Sequence, residues 1–481
     1  MGEESRMTTD FKPYPHYKDS GLPWLEKIPE HWEIKRGKAI LNRIDLRSDS
    51  GNEELLTVSA NRGVIPRRSA TVTMFKAESY AGYKLCWPGD LVINSLWAWA
   101  SGLGVSKYHG IVSSAYGVYR VKSESEINPN YLHFLVKSTP FQWELQVRSK
   151  GVWTSRLQLT DESFLNAPYL IPPLAEQNAI VRYLDYMDRR IKRYIIAKKK
   201  LIKLLTEQKQ AIIHQAVTRG LDPNVRLKPS GVEWLGDIPE HWECLPLKRW
   251  VSTKITDGPH ETPELFDDGI PFMSAESIAN GFFDFNHKRG YINIKTHQYF
   301  CKKCHPQKYD IFMCKSGATT GKVAMVETDQ EFSVWSPLAL IRVNPNRTSP
   351  RLMLLILQSY YIQKQVENSW SFGTQQNLSM TSMERIKVAL PHIEEQISLL
   401  SEIENIINPI NDLVKHIKNE IELIIEFRTR LIADVVTGML DVREAAAQLP
   451  DRTEAFELEE PLDDKEITEA EVEEVLEEEE V

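Results

Sequence analysis

The sequence predicts an α+β protein written twice. Two globular α/β domains are separated by two long helices that pair as an antiparallel coiled coil, and the whole is an internal duplication with pseudo-two-fold symmetry. Three observations predict it. The phrase "GLPWLEKIPEHWE" (Gly21–Glu33) returns as "GVEWLGDIPEHWE" (Gly231–Glu243), 210 residues later, with nine of thirteen positions identical. Two long stretches carry apolar residues at alternating steps of three and four. Between each opening phrase and its stretch lie short β-like runs broken by turn residues.

The duplication extends past the opening phrase. "IPPLAEQNAI" (Ile171–Ile180) returns as "LPHIEEQISL" (Leu390–Leu399), and "AVTRGLD" (Ala216–Asp222) as "VVTGMLD" (Val435–Asp441), both 219 residues on. The second copy is therefore nine residues longer between its opening phrase and its helix. A period this long is a duplicated domain unit, not a solenoid repeat. Pro29, His31 and Trp32, like Pro239, His241 and Trp242, are read as rigid, aromatic-anchored starts to each unit rather than as ligand contacts.

The helices follow from periodicity. Ile180, Leu184, Met187, Ile191, Tyr194, Lys198, Leu201, Leu205, Gln208, Ile212 and Gln215 form a heptad a/d stripe. Shifted by 219, the stripe becomes Leu399, Ile403, Ile406, Ile410, Leu413, Ile417, Glu420, Ile424, Phe427, Leu431 and Asp434. So narrow a seam suits one long partner, and each stripe, about 54 Å long at 1.5 Å per residue, fits the other. Pro409 is expected to kink the second helix or to mark a later start. The first helix is basic: Arg182, Arg189, Arg190, Lys192, Arg193, Lys198, Lys199, Lys200, Lys203 and Lys209 outnumber four acids between Glu176 and Gln215. Such a run is either a solvated flank or a surface for phosphates or acidic partners.

A chain of 481 residues, 42% hydrophobic, has room for two to four domains with real cores. It contains no uncharged apolar run long enough to span a bilayer and no secretory h-region at its N-terminus, so a cytoplasmic protein without a membrane partner is expected. Five cysteines fit a reducing compartment. The net charge of −9 conceals a division: residues 451–481 hold 16 acidic and 2 basic side chains, a net −14, which leaves +5 on residues 1–450. The body is mildly basic and the tail reads as a solvated, disordered appendage, with DNA-like charge mimicry or partner binding as the alternatives.

Between the repeated parts the copies diverge. Runs such as "GDLVINSL", "YGVYRV", "GIPFM" and "YDIFMCKSG" read as strands, and only traces are shared, "PGDLVI" against "KYDIFM" and "VYRV" against "LIRV". A shared scaffold bearing unlike inserts suits recognition of a two-part, asymmetric target. Antiparallel helices would present the inserts in inverted orientation, matching the local two-fold symmetry of duplex DNA.

The paired W-L-x-x-I-P-E-H-W phrases, the "PPLAEQ" and "PHIEEQ" helix openings and "QAVTRG" at the end of the first helix resemble the DNA-specificity (S) subunit of type I restriction-modification systems, over roughly residues 20–443. The resemblance implies an N-terminal extension (1–20), a first target-recognition domain (21–170), a central spacer helix (171–222), a second target-recognition domain (223–389), a C-terminal spacer helix (390–443) and an acidic disordered tail (444–481). It implies that each recognition domain reads one half of a split site on double-stranded DNA. The helices would set the spacing and dock methyltransferase subunits, two in number. No cofactor is expected in this chain, S-adenosylmethionine being carried by the methyltransferase partner. A restriction/translocase subunit completes such a complex, and the S subunit itself is not catalytic.

The chemistry of the residues leaves two rivals, a fused methyltransferase with an unrecognised motif and a coiled-coil adaptor that binds no DNA. An amino-methyltransferase needs an Asn/Asp-Pro-Pro-aromatic grip; "NPN" at Asn128–Asn130 and Asn344–Asn346 lacks the second proline and the aromatic, and both are expected to begin short helices. "SGATTGKVAMV" (Ser316–Val326) falls one residue short of a phosphate loop and lacks its hydroxyl after Lys322. "CKKCHP" (Cys301–Pro306) mimics a haem-attachment motif, and a zinc site using Cys301, Cys304 and Cys314 or His305 is the lesser alternative to plain reduced cysteines. DNA is read by amides and cations and by backbone N–H groups. In the first domain the candidates are Asn94, Trp97, Trp99, Lys150, Arg156 and Gln158, with core packing the alternative for both tryptophans. In the second they are His260, Lys315, Thr319, Thr320, Lys322, Gln375, Gln376 and Asn377.

Overall fold

Each opening phrase folds into a small antiparallel hairpin. Tyr17–Leu22 pairs with Leu25–Pro29, and Leu227–Pro229 with Asp237–Pro239. Gly21, at the irregular end of its strand, and Gly231, in the connecting loop, sit at φ 64° and 71°, a region that costs glycine little. Past the hairpin, "EHW" folds back on its own proline: the Trp32 N–H donates to the Pro29 carbonyl (3.0 Å) and Trp242 to Pro239 (2.9 Å). Both indoles are buried. The next residues form a strand that pairs with the run leading into the long helix, Glu33–Arg36 with Pro168–Ile171 and Glu243–Pro246 with Lys387–Leu390. The start and end of each insert are thus stitched together.

The computed structural model describes residues 12–60, 62–70, 79–151, 157–279, 281–372 and 376–450. The chain divides into two units, residues 1–201 with 416–481, and residues 202–415. In the first unit the insert holds a four-stranded antiparallel sheet in the order Leu41–Ile44, Gly117–Val121, Leu91–Ile93, Leu103–Val105. In the second, a six-stranded sheet begins in the corresponding order, Thr256–Asp257, Leu338–Ile341, Ile311–Cys314, Val323–Met325, and continues through Gly281–Phe283 and Ile278–Ala279. The β-like runs of the sequence all become strands of these units. A helix pair follows in each: Pro129–Lys137 and Thr139–Arg148, then Pro350–Gln358 and Tyr360–Asn368. Asn128 caps its helix as expected, its Oδ1 accepting from the Asn130 N–H. Asn344–Asn346 does not begin a helix. It forms a turn in which Asn344 Oδ1 accepts from Asn346 N (3.0 Å), and the helix starts four residues later under a Ser349 cap.

The long helices run Leu174–Arg219 and Ile393–Val436. The second passes through Pro409 rather than beginning after it. Within the first unit they pair antiparallel: Asp188 accepts from Arg428 Nε (2.6 Å) and Glu420 from Lys198 Nζ (2.8 Å), with the Tyr194 hydroxyl on the same carboxylate. Within the second unit, Lys209 Nζ donates to Asn411 Oδ1 (2.7 Å), and Ile212, Ala216 and Val217 share a core with Leu399, Ile403 and Ile407. The stripe itself needs correction. Ile180, Leu184, Met187 and Ile191 are buried, but the seam then moves to Ile195 and Ile196, and Leu201, Gln208 and Gln215 face solvent. On the second helix Ile406, Leu413 and Phe427 are exposed, and Ile407, Ile421 and Ile425 are buried instead. A 3.6-residue helix drifts about 20° per heptad against a strict 3.5 repeat, so after two or three heptads the next residue takes the seam.

The ends of the first unit depart from composition. Tyr14, inside the expected N-terminal extension, is buried in the core. Residues 444–450 begin the expected disordered tail, yet Arg443–Ala447 is helical, with Ala446 buried and Leu449 packed on the same core.

Candidate nucleic-acid interface

The repeated glutamate–glutamine pair at the head of each long helix holds each insert in place. In the first unit the Glu176 carboxylate accepts from Trp32 Nε1 (2.8 Å) and from the Tyr14 hydroxyl (2.5 Å), and lies 2.7 Å from His31 Nε2. Burial, reinforced by this carboxylate, keeps the Tyr14 phenol protonated far above its ordinary range. In the second unit Glu395 accepts from Trp242 Nε1 (3.0 Å) and lies 2.8 Å from His241 Nε2. The glutamine beside it clamps the chain that precedes the short helix pair. Gln177 Oε1 accepts from Asn128 N (2.8 Å) while its amide nitrogen donates to the Glu126 and Pro172 carbonyls. Gln396 does the same with Ser349 N, Arg347 and Pro391. The recurring "IPEHW" and "EQ" are two halves of one polar lock, with the tryptophans buried inside it and the exposed histidines closing it from the solvent side.

A second shared device underlies the faint sequence traces. Arg120 donates from Nε and Nη2 to Asp90 (2.6 and 2.8 Å), and Arg342 to Asp310 (both 2.7 Å). Each aspartate also accepts a backbone N–H three residues upstream, Trp87 or Gln307. "PGDLVI" with "VYRV", and "KYDIFM" with "LIRV", are therefore the same bidentate pair. It fixes the base of one hairpin in each unit: Leu91–Ile93 with Leu103–Val105, and Ile311–Cys314 with Val323–Met325.

The tips of those hairpins carry half of the candidate residues, and a second loop closes against each. In the first unit Lys150 and Gln158 exchange backbone hydrogen bonds (3.0 Å each), and Leu159 N donates to the Ser95 carbonyl (2.9 Å) beside Asn94. In the second, Leu378 N donates to the Lys315 carbonyl (2.7 Å) and Gly317 N to the Gln376 carbonyl (3.1 Å), while Ser316 and Asn377 form a bridge. Gln158 and Asn377, like Leu159 and Leu378, are 219 residues apart, so the loop pair is one design used twice. Arg156 and Gln375 lie outside the described residues.

The tips are chemically unlike. Trp97 is 63% exposed beside exposed Leu96, and Trp99 is half-buried with Nε1 donating to the Leu96 carbonyl (3.0 Å). The residue that packs inward is Ala98, so core packing is the wrong account of Trp97. Asn94 turns its amide nitrogen to the Tyr116 hydroxyl (3.3 Å). In the second unit the phosphate-loop mimic is a hairpin turn leading into a strand, not into a helix N-terminus. Gly317 and Gly321 sit at φ 93° and 95°, Thr320 is buried with Oγ1 donating to the Gly317 carbonyl (2.7 Å), and Lys322 is exposed. Thr319 Oγ1 lies 3.2 Å from Cys314 Sγ.

Lys315 is committed within the protein. It pairs with Asp257 (3.1 Å), which also meets Lys303 (2.6 Å) and His260 (3.2 Å). Burial raises the Asp257 carboxyl, but the hydrogen bonds of Lys303 and Lys315 outweigh it and hold its pKa below the ordinary value. Lys315 thus reaches the surface less than its sequence position suggests, whereas His260 remains largely exposed. Lys303 lies inside "CKKC", a run whose cysteines suggest metal chemistry rather than an ion pair. Cys304 belongs to the core, where burial pushes its thiol up to about 12, and Cys301 Sγ lies 3.6 Å from His297 Nε2. Among the described residues no group of three or more His, Cys, Asp or Glu could hold a metal ion. Among them, too, no helix is long and apolar enough to cross a membrane.

Two divergent sheet modules, each locked in the same way to the head of a long helix, form a tandem scaffold. Residues 256–423 match the family described as the type I restriction modification DNA specificity domain. The chain is 22% identical over 448 residues to the putative type I restriction enzyme MjaX specificity subunit of Methanocaldococcus jannaschii, covering 89% of this chain and 98% of that protein. It is 23% identical over 349 residues to the MjaVIII specificity subunit of the same organism, covering 69% and 75%. A solved structure described as the basis of complex assembly and conformational transition of the type I R-M system shares the fold, with a TM-score of 0.62 at 16% identity, over 86% of this chain and 99% of that one. The chain thus carries a type I specificity domain over residues 256–423 and is similar along most of its length to proteins named as type I restriction enzyme specificity subunits.

Proposed function

We propose that each unit reads one half of a bipartite, asymmetric site on double-stranded DNA, with the hairpin tip and its closing loop as the reading surface. One observation carries this: locks, bidentate pair and loop closure recur in register, while the tips they hold differ, Leu96–Trp97 in one unit and Gly317–Lys322 in the other. Exposed Trp97 offers apolar contact to base edges, and Lys322 and the glycine-rich backbone suit phosphates. Asn94, Trp99, Lys150 and Gln158 support the first tip, and His260, Lys315, Thr319, Thr320, Gln376 and Asn377 the second. The helix pair sets the spacing between half-sites and docks two methyltransferase subunits, which carry S-adenosylmethionine, and a restriction/translocase subunit joins them.

Methylation mapping of cells carrying this chain with its partner subunits tests the reading. A split, asymmetric motif is expected, and a continuous palindrome would overturn it. Inserting one heptad beside Lys199 should lengthen the unspecified gap and leave both half-sites unaltered. Changed half-sites would rule out the helices as the spacer.

A further inference from the structure

The last described residues of the chain are tied to the central helix. Exposed Arg182 donates from Nη2 to the Leu449 carbonyl (2.6 Å) and to the Pro450 carbonyl (3.3 Å). The segment that follows, 451–481, carries 16 acidic and 2 basic side chains. Pro450, the residue before it, is held by Arg182 at the start of the most basic stretch of the first unit: residues 182–201 hold eight Arg and Lys against Asp185 and Asp188, a net +6. The facing stretch of the second long helix, 416–436, holds three basic and four acidic side chains, a net −1, so the pair stays positive. Internal ion pairs absorb part of this, Lys192 with Asp188 and Lys198 with Glu420, yet Arg190 and Lys200 point to solvent.

We propose that segment 451–481 docks along this basic flank and competes there with DNA phosphates. Reach is ample. Thirty-one residues extend to about 100 Å, whereas Arg182 to Lys200 spans about 27 Å of helix. Tethering at Arg182 gives the segment an effective concentration on the order of millimolar at the flank, so a weak, purely electrostatic contact is occupied. Cognate DNA, held also by the reading tips, displaces the segment; non-cognate DNA, held by phosphates alone, does not. The segment thereby raises discrimination without touching a base. The docking stands on charge and tether, and the competition rests on the DNA-reading function above.

Two measurements test it on the full chain. Zero-length carbodiimide coupling, mapped by peptide mass, should link tail Asp and Glu to Lys198, Lys199 or Lys200, and the triple change Arg189→Glu, Arg190→Glu, Lys200→Glu should abolish the remaining links to Lys198 and Lys199. Binding of a non-cognate duplex should tighten roughly tenfold at 50 mM salt when the chain ends at Pro450 or when the tail acids become amides, with no difference at 300 mM. Absence of tail-to-helix links overturns the docking. Links with unchanged DNA affinity in both altered chains overturn the competition. If none of the chains binds DNA, the reading function fails, and the links alone decide the docking.

Discussion

The two junctions between insert and helix solve one problem under different constraints. In the second unit the chain passes continuously from the end of the central helix through Asp222 into the hairpin at Leu227. In the first unit the same place is a meeting of two distant stretches: Asp441 N donates to the Lys12 carbonyl (3.3 Å) and the Tyr17 hydroxyl to the Gly438 carbonyl (3.1 Å). Closing that gap without a covalent link needs additional contacts. The first unit supplies Tyr14 on Glu176 and Arg443 over the Tyr14 ring (5.0 Å). Correspondingly Glu176 is 4% exposed and Glu395 42%. The polar lock is general, and its burial scales with how much chain continuity is missing.

That difference can be broken from both sides. The largest effect is expected where the units agree: Trp32→Ala and Trp242→Ala should each cost about 4 kcal/mol by urea denaturation, because both indoles are fully buried. Equal losses would confirm a shared anchor; an untouched midpoint in either would refute it. Next comes the asymmetry. Glu176→Ala strands two buried partners, Trp32 and Tyr14, and should cost about 3 kcal/mol, whereas Glu395→Ala should cost about 1. A reversed order would disprove the role given to continuity.

Third, the tips should act on separate halves of the target. Trp97→Ala and Lys322→Ala should each weaken binding about tenfold. Competition with duplexes scrambled in one half-site should show each change to affect one half only. The smallest effect separates the units by pH. Burial lowers the pKa of His133 to about 3, where its Nδ1 accepts from Val105 N (3.1 Å). Unfolded, that histidine binds a proton below about 6.5, which the folded one refuses until about 3. The unfolded state therefore gains protons, and the first unit loses stability as pH falls through that window. Asp257 is depressed, so its contribution to the second unit is present above the unfolded carboxylate pKa and disappears as pH falls through the lower, folded one. His133→Asn should flatten the stability profile between pH 6 and 4; a slope unaltered there would remove His133 as its source.

What the sequence reveals and what it withholds divide along the same line. The opening phrase, helix heads and strands are legible because burial and backbone pairing impose local patterns. Residues such as Trp32 and Gln177 recur because the lock admits few alternatives. The bidentate pair is visible only as faint traces, since Asp90 and Arg120 are thirty residues apart and the neighbours of each are free to vary. The seam along the helices slips because a heptad template has no drift. The exposure of Trp97 and the commitment of Lys315 to Asp257 are tertiary facts, set by which strand follows a turn and which loop closes on it.

The contact between Asp441 and Lys12 closes the chain on itself. Residue 222 is the counterpart of both, lying 219 before the one and 210 after the other. The first unit is therefore cut where the second is continuous, and the order of segments is cyclic rather than linear. A gene could begin at any equivalent turn without rearranging the fold. Joining 441 to 12 through a short linker and opening the chain at Asp222 would exchange which unit needs the extra tyrosine and arginine.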